Sequence, residues 1–124
     1  MKKQLLVIDD DAIIRRLFSL YLEKKGYAVT VADSGESGIE ILESSRFDLI
    51  TCDIIMPGMS GYDFLRAVKG NPELSHIPVV LLSATGAQDE EGVVMSLGAA
   101  RMISKPCLPA ELEQIIEELI NGQE

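Results

Sequence analysis

VIDDDAIIRR, residues 7–16, carries a short apolar run straight into three aspartates and then into a new pattern. The run, Leu5 to Ile8, is built from Leu, Val and Ile and reads as a strand buried on both faces. After the acids, Ile13, Ile14, Leu17, Phe18 and Tyr21 recur at helical spacing and predict a helix with that face turned inward. The helix is expected to stop at KKG (24–26), with cations in its last turn and Gly26 just beyond it. A strand that feeds a helix so directly is the start of a βα unit. The acids between them are the puzzle. Like charges side by side repel, and Asp9, Asp10 and Asp11 sit where a first strand should end.

The same alternation continues along the chain. Further apolar runs are AVTVA (28–32), DLITC (48–52), PVVLL (78–82) and RMIS (101–104), each bounded by polar or turn residues. Ser34 is placed to cap a second helix carrying Ile39 and Leu42, with Gly38 weakening its middle. A third helix is expected over 62–69, and a fourth over 90–97 ended by Gly98. The last has the clearest stripe: Leu112, Ile115, Ile116, Leu119 and Ile120, opening on Pro109 and Glu111. GNPELSHIP (70–78) reads as a surface loop before the fourth strand. Strands alternating with helices five times predict an α/β fold, with a parallel sheet, right-handed crossovers and helices on both faces.

Composition narrows the function. The 124 residues are one domain's worth of chain, and 47% hydrophobic content argues against disorder. With 11 Lys+Arg against 20 Asp+Glu, the formal charge is −9. Nucleic acid and anionic membrane surfaces reward basic patches, so neither is an expected direct partner. Cations and basic protein surfaces fit better. Two cysteines are too few for a disulfide scaffold, and Cys52, inside an apolar run, reads as a small buried hydrophobe. The N-terminus lacks a signal-peptide pattern, and no segment has the length of a membrane span. A cytoplasmic location is the expectation.

In an open α/β sheet, ligands gather outside the carboxyl ends of the strands. The residues that end each run therefore decide the chemistry. Run one ends in Asp9 and Asp10, and run three in Asp53 within TCDIIMPG (51–58). Run four ends in Ser83 within LLSAT (81–85), and run five in Lys105 within ISKP (103–106). Three carboxylates, a hydroxyl and an ammonium are thus expected along one edge. No single tetrapeptide here is specific, but the ordered set is.

This set resembles the receiver domain of two-component response regulators, in a chemotaxis-regulator-like form, over nearly the whole chain. VIDDD resembles the family's acidic pair, and CDIIMPGMSG (52–61) its phosphoacceptor aspartate with a Met-Pro-Gly turn. LLSA resembles its Ser/Thr-Ala switch and SKP its Lys-Pro. The resemblance implies one receiver domain over 1–124. Its fold would be a doubly wound (βα)5 flavodoxin-like sandwich with strand order 2-1-3-4-5. Asp53 would accept a phosphoryl group from a phosphohistidine on a sensor histidine kinase or phosphotransfer protein. A carboxylate approaching a phosphoryl group meets anion–anion repulsion, and Mg²⁺ suits the hard oxygen donors that could relieve it. Asp10, Asp53 and the backbone carbonyl of Ile55 would ligate Mg²⁺ directly, and Asp9 through a water. Lys105 would pair with one phosphoryl oxygen and Ser83 would donate a hydrogen bond to another. A cis Lys105–Pro106 bond is also implied. Phosphorylation would switch the surface of helix four, strand five and helix five toward a downstream protein or output domain. Such a domain assists its own phosphorylation and dephosphorylation without being a metabolic enzyme.

Some residues invite plainer readings. Asp11 precedes AIIRRLF and reads as the cap of the first helix rather than as a third site residue. Thr85 competes with Ser83 for the switch position, but LLSA favours Ser83. His76, the single histidine, lies in a loop with no partner set and reads as structural. Gly35, Gly58 and Gly61 read as turn glycines. Three positions depart from the family pattern. Met102 replaces an aromatic three residues before the lysine, so an aromatic rotamer switch is unavailable there. Cys107 and Leu108 follow Pro106 where a Phe and a Ser or Asp cap are common, so the last helix should start weakly capped. Ile55 offers the metal only its carbonyl, and its apolar side chain should alter the lifetime of a phosphoaspartate. Met102 and Cys107 leave open a phosphorylation-independent docking module of the same fold. A Mg²⁺-dependent phosphohydrolase is disfavoured, because Asp53 is followed by Ile54 and Ile55 rather than by an Asp-x-Asp pair.

Overall fold

The computed structural model describes residues 2–84 and 88–122. Five strands, β1 (Gln4–Ile8), β2 (Ala28–Ala32), β3 (Leu49–Asp53), β4 (Val79–Ser83) and β5 (Arg101–Ser104), alternate with five helices. These are α1 (Ala12–Lys24), α2 (Gly35–Leu42), α3 (Gly61–Lys69), α4 (Gln88–Ser96) and α5 (Pro109–Asn121). The strands pair in parallel in the order β2-β1-β3-β4-β5. The fold class and strand order are those expected from the sequence. Thr85 lies outside the described residues.

Alternation along each strand builds two cores. Leu6, Ile8, Ile50, Cys52, Val79 and Leu81 face the layer that holds Leu42, Phe64, Leu65, Val68 and Val94 of α2, α3 and α4. Leu5, Val7, Leu49, Val80 and Leu82 face Phe18 and Leu22 of α1 and Leu112, Ile116 and Ile120 of α5. β3 and β4 are buried at every position, as central strands covered on both sides must be.

The helices begin and end where the sequence marks them. Asp11 caps α1, its Oδ1 accepting from the amides of Ile13 at 2.8 Å and Ile14 at 3.4 Å. Gly26, just past α1, adopts φ +99°, which favours a residue without Cβ. Ser34 caps α2 by accepting from the Ser37 amide at 3.0 Å. Ser60 and Asp63 form a reciprocal capping box on α3. Leu108 precedes α5 with no side-chain cap bond, so the weak start is as expected. The loop over 70–78 is closed by Lys69, whose ammonium donates to the carbonyls of Ser75 and Ile77, each at 2.9 Å.

Two sequence expectations change. The α1 face is rotated: Phe18 and Leu22 are buried, whereas Ile13 and Leu17 are 70% and 51% exposed. The apolar stripe on this helix is wider than the surface that covers it. Three glycines also serve a different purpose. A Cβ on Gly38 would stand 2.5 Å from Ile8 Cδ1, so this residue lets α2 approach the sheet rather than weakening the helix. Gly35 and Gly61 open helices instead of sitting in turns, and both face close neighbours. Gly58, at φ +77°, is a turn glycine as expected.

Candidate functional site

The strand order explains why the acids converge. From β1 the chain passes through α1 to β2 on one side, then through α2 to β3 on the other. The carboxyl ends of β1 and β3 therefore flank the point where the chain reverses direction across the sheet, and that crevice is where open α/β sheets hold ligands. Asp9 and Asp10 follow β1, and Asp53 ends β3. One carboxylate oxygen from each of Asp9, Asp10 and Asp53 lies within 4.8 Å of the others. Asp9 and Asp53 are buried and Asp10 is exposed.

Lys105 completes the cluster. Its Nζ is 3.0 Å from Asp53 Oδ2 and 3.6 Å from Asp9 Oδ2. The peptide bond after it, Lys105–Pro106, is cis, as the resemblance implied. The Lys105 amide also donates to the Ser83 carbonyl at 2.7 Å, which ties the ends of β4 and β5 together. Ser83 is buried at the end of β4, one residue beyond the Asp53–Leu82 pairing. The predicted set thus lies along one edge, with Asp9, Asp10, Asp53 and Lys105 in one cluster and Ser83 on the adjoining strand end. Ile55 stands two residues beyond Asp53 and is exposed.

The electrostatics follow from burial. Desolvation pushes the Asp9 carboxyl above the usual carboxylate range, with Asp53 and Asp10 adding repulsion. The Asp11 amide and the Lys105 ammonium work in the opposite direction without cancelling the shift. For Lys105, burial disfavours the charge, but the carboxylates of Asp53 and Asp9 outweigh it and raise its pKa. Burial likewise pushes the Cys52 thiol up, which makes it the inert hydrophobe expected of it.

Asp9 is held at every polar atom. Its amide donates to the Ala32 carbonyl at 3.1 Å, and its carbonyl accepts from Arg15 Nη1 at 2.7 Å. Its Oδ1 accepts from the Asp11 amide at 2.9 Å, while Oδ2 faces Lys105. The loop after Asp53 is braced in a similar way. Glu36 Oε2 accepts from the Met59 amide at 3.2 Å, and the Gly61 amide donates to the Ile54 carbonyl at 2.8 Å. A Cβ on Gly61 would come within 2.6 Å of the Asp53 carbonyl oxygen. Arg15, Glu36 and Gly61 were not singled out from sequence as parts of the site. Each acts on backbone across a distance that no local pattern records.

Three acidic oxygen donors around one point, two of them buried, match a small hard cation better than a soft metal. Among the described residues no helix is long and apolar enough to cross a membrane.

Known proteins agree with this geometry. Residues 5–117 match the family model of the response regulator receiver domain. The chemotaxis protein CheY of Pseudomonas aeruginosa is 32% identical over 123 residues, covering 96% of this chain and 99% of that protein. A probable transcriptional regulator, ycf29, of Cyanophora paradoxa is 37% identical over 117 residues. That match covers 94% of this chain but 56% of the relative, so the chain spans about half the length of that protein. The structure of the chemotaxis response regulator CheY4 of Vibrio cholerae superposes with a TM-score of 0.90 at 27% identity, covering 96% of this chain and 99% of that one. On its motif order, its strand-end carboxylates and these similarities, the chain belongs to the response regulator receiver domains of two-component signalling.

Proposed function

We propose that this domain accepts a phosphoryl group on Asp53 from the phosphohistidine of a sensor histidine kinase or phosphotransfer protein, in a Mg²⁺-dependent reaction. The observation that carries this reading is the buried Asp53 carboxylate, 3.0 Å from an ammonium and grouped with two further carboxylates. An Asp53 carboxylate oxygen attacks phosphorus, the new P–O bond forms, and the P–N bond to imidazole breaks. The imidazole nitrogen leaves and takes its proton from solvent. Asp10, Asp53 and the Ile55 carbonyl, supported by Asp9, would hold the Mg²⁺. When bound, the metal ion supplies positive charge that offsets the repulsion between carboxylate and phosphoryl oxygens. Lys105 is placed to follow an oxygen of the modified Asp53, and Ser83 would donate to another. The protein's share of the work is positioning and charge stabilisation.

The approach to the site supports a protein donor. Ile13, Ile55 and Leu108 are 70%, 65% and 63% exposed, and each lies two or three residues after a site residue. Exposed apolar side chains so near the site residues in sequence suit a partner that presents its phosphohistidine from a helical or bundle surface. The added charge would then bias a two-state domain and alter the surface offered to a downstream protein or output domain. In this reading the domain assists its own phosphorylation and dephosphorylation but turns over no metabolite, and it works in the cytoplasm.

Incubation with acetyl phosphate or a phosphorylated kinase and Mg²⁺ should add one acid-stable, base-labile phosphoryl group. Asp53→Asn should take up none, and full labelling of that variant would overturn the assignment. Beryllofluoride, a phosphoryl mimic, should change partner affinity. An unchanged affinity would instead support the docking module.

A further inference from the structure

We propose that Arg15 is a positioning residue for the acidic edge. It would hold the β1–α1 turn, and with it Asp9 and Asp10, in the arrangement that binds a divalent cation. The inference rests on reading that edge as a cation site.

Arg15 lies on the second turn of α1, six residues after Asp9, and its guanidinium reaches back across the turn. Nη1 donates to the Asp9 carbonyl at 2.7 Å. Among the described residues it forms no ion pair, so its one bonded partner there is a backbone oxygen. That oxygen needs a donor. Asp9 lies beyond the last β1–β2 strand pair, Ile8 with Ala32, and before the α1 cap, Asp11. Its carbonyl therefore belongs to neither ladder nor helix, and Asp9 is buried. A buried carbonyl without a partner is costly.

Geometry makes this contact matter for the carboxylates. Asp9 is fixed through Ala32, Asp11 and Lys105 as well. Among the hydrogen bonds of the described residues, that of Arg15 falls on the peptide plane joining Asp9 to Asp10, whose nitrogen belongs to Asp10. Rotation of that plane would swing the Asp10 carboxylate relative to Asp53. Residues that orient metal ligands from outside the ligand set govern affinity through such contacts.

Charge and contact predict opposite signs. If Arg15 acted only as a nearby cation, removing it would strengthen binding of a divalent ion. If it positions the turn, removing it weakens binding. The test measures Mn²⁺ binding by electron paramagnetic resonance and Mg²⁺ binding by calorimetry on the full chain. Arg15→Met keeps an apolar stem without the donors, and Arg15→Lys keeps the charge with a shorter reach. Arg15→Met is expected to weaken binding by about tenfold, and Arg15→Lys by less. Affinity that is unchanged or tighter in Arg15→Met overturns the proposal, including the case where only the thermal midpoint falls. Asp53→Asn is the control for the site itself. If the unaltered chain binds no better than Asp53→Asn, the cation-site reading fails. If it does bind better but Arg15→Met matches it, only the role of Arg15 fails.

Discussion

Lys105 Nζ stands 3.0 Å from Asp53 Oδ2, so the ammonium lies against the carboxylate proposed to accept the phosphoryl group. A divalent ion at the same edge must share the acids with it. Replacing Lys105 with Met removes that competitor, and Mg²⁺ affinity should rise several-fold by calorimetry. Phosphoryl transfer should move the other way. Loss of a charge-assisted hydrogen bond of roughly 1.5–3 kcal/mol in the transition state would slow labelling about 10- to 100-fold. A rise in affinity with no loss of rate would show that Lys105 plays no part in the chemistry.

Asp9 gives the pH dependence. Its pKa is raised in the folded chain, mainly by desolvation, so the native state binds more protons than the unfolded state between the ordinary value and the raised one. Stability contributed by this group therefore falls as pH rises through that window. Lys105 has the same sign in a higher pH window. With a folded pKa raised above its ordinary value, its contribution is complete below about 10.5 and is lost as pH climbs through the folded value. In metal-free buffer, Asp9→Asn should have a higher urea midpoint than the unaltered chain at neutral pH. The gap should close as pH drops through the Asp9 transition. With Mg²⁺ present the order should narrow or reverse, because the variant loses a carboxylate of the acidic cluster proposed to bind the ion.

The third aspartate of the same triplet should behave differently. Asp11 caps α1 through the amides of Ile13 and Ile14. Its contact with Asp9 uses its backbone amide, which substitution leaves in place. Asp11→Ala should cost about 1 kcal/mol of stability in urea denaturation while leaving Mg²⁺ affinity nearly unchanged. A large loss of affinity would place Asp11 among the metal-binding acids.

Gly61 is constrained by space rather than by backbone angle. An added Cβ would meet the Asp53 carbonyl oxygen at 2.6 Å and Ile54 Cα at 2.7 Å, and both are backbone atoms that cannot swing aside. Gly61→Ala should cost about 1–3 kcal/mol of stability. It should also weaken Mg²⁺ binding, because the strain is relieved by moving either α3 or the end of β3. Unchanged stability would mean that α3 can shift freely, against the close fit at its start.

These cases show why the sequence was informative in some places and silent in others. The strand ends were legible because a central parallel strand must be apolar along its length. Asp9, Asp53, Ser83 and Lys105 therefore stand out as the residues where each run stops. The capping of α1 by Asp11 and of α2 by Ser34 was legible because caps are local. The orientation of α1 was not. Its apolar residues cover a wide arc, and periodicity cannot tell which part of that arc α5 and the sheet will cover. Ile13 and Leu17 consequently read as core although they are exposed. Gly38 read as a weak point because its need for closeness comes from Ile8 and Phe64, on other elements. Arg15 and Glu36 act on backbone atoms of distant or folded-back segments, and no side-chain pattern marks such a target.

Leu108 joins local stability to the proposed function. It occupies the N-cap of α5 without supplying a cap bond, and it is 63% exposed three residues after Lys105. A polar residue there would satisfy an open amide of the first turn. Leu108→Ser or Leu108→Asp should therefore stabilise the chain by about 0.5–2 kcal/mol, seen as a higher urea midpoint. Asp should do at least as well as Ser, since its charge also complements the helix dipole. The same change removes an exposed apolar group from the segment that follows Lys105. Transfer from a phosphorylated kinase should become slower at limiting kinase, while labelling by acetyl phosphate, which needs no docking surface, should stay close to that of the unaltered chain. A stabilised variant with equal rates from both donors would show that Leu108 is only a poor cap. A selective loss with the kinase would show that the exposed leucine is retained for docking at the expense of helix stability.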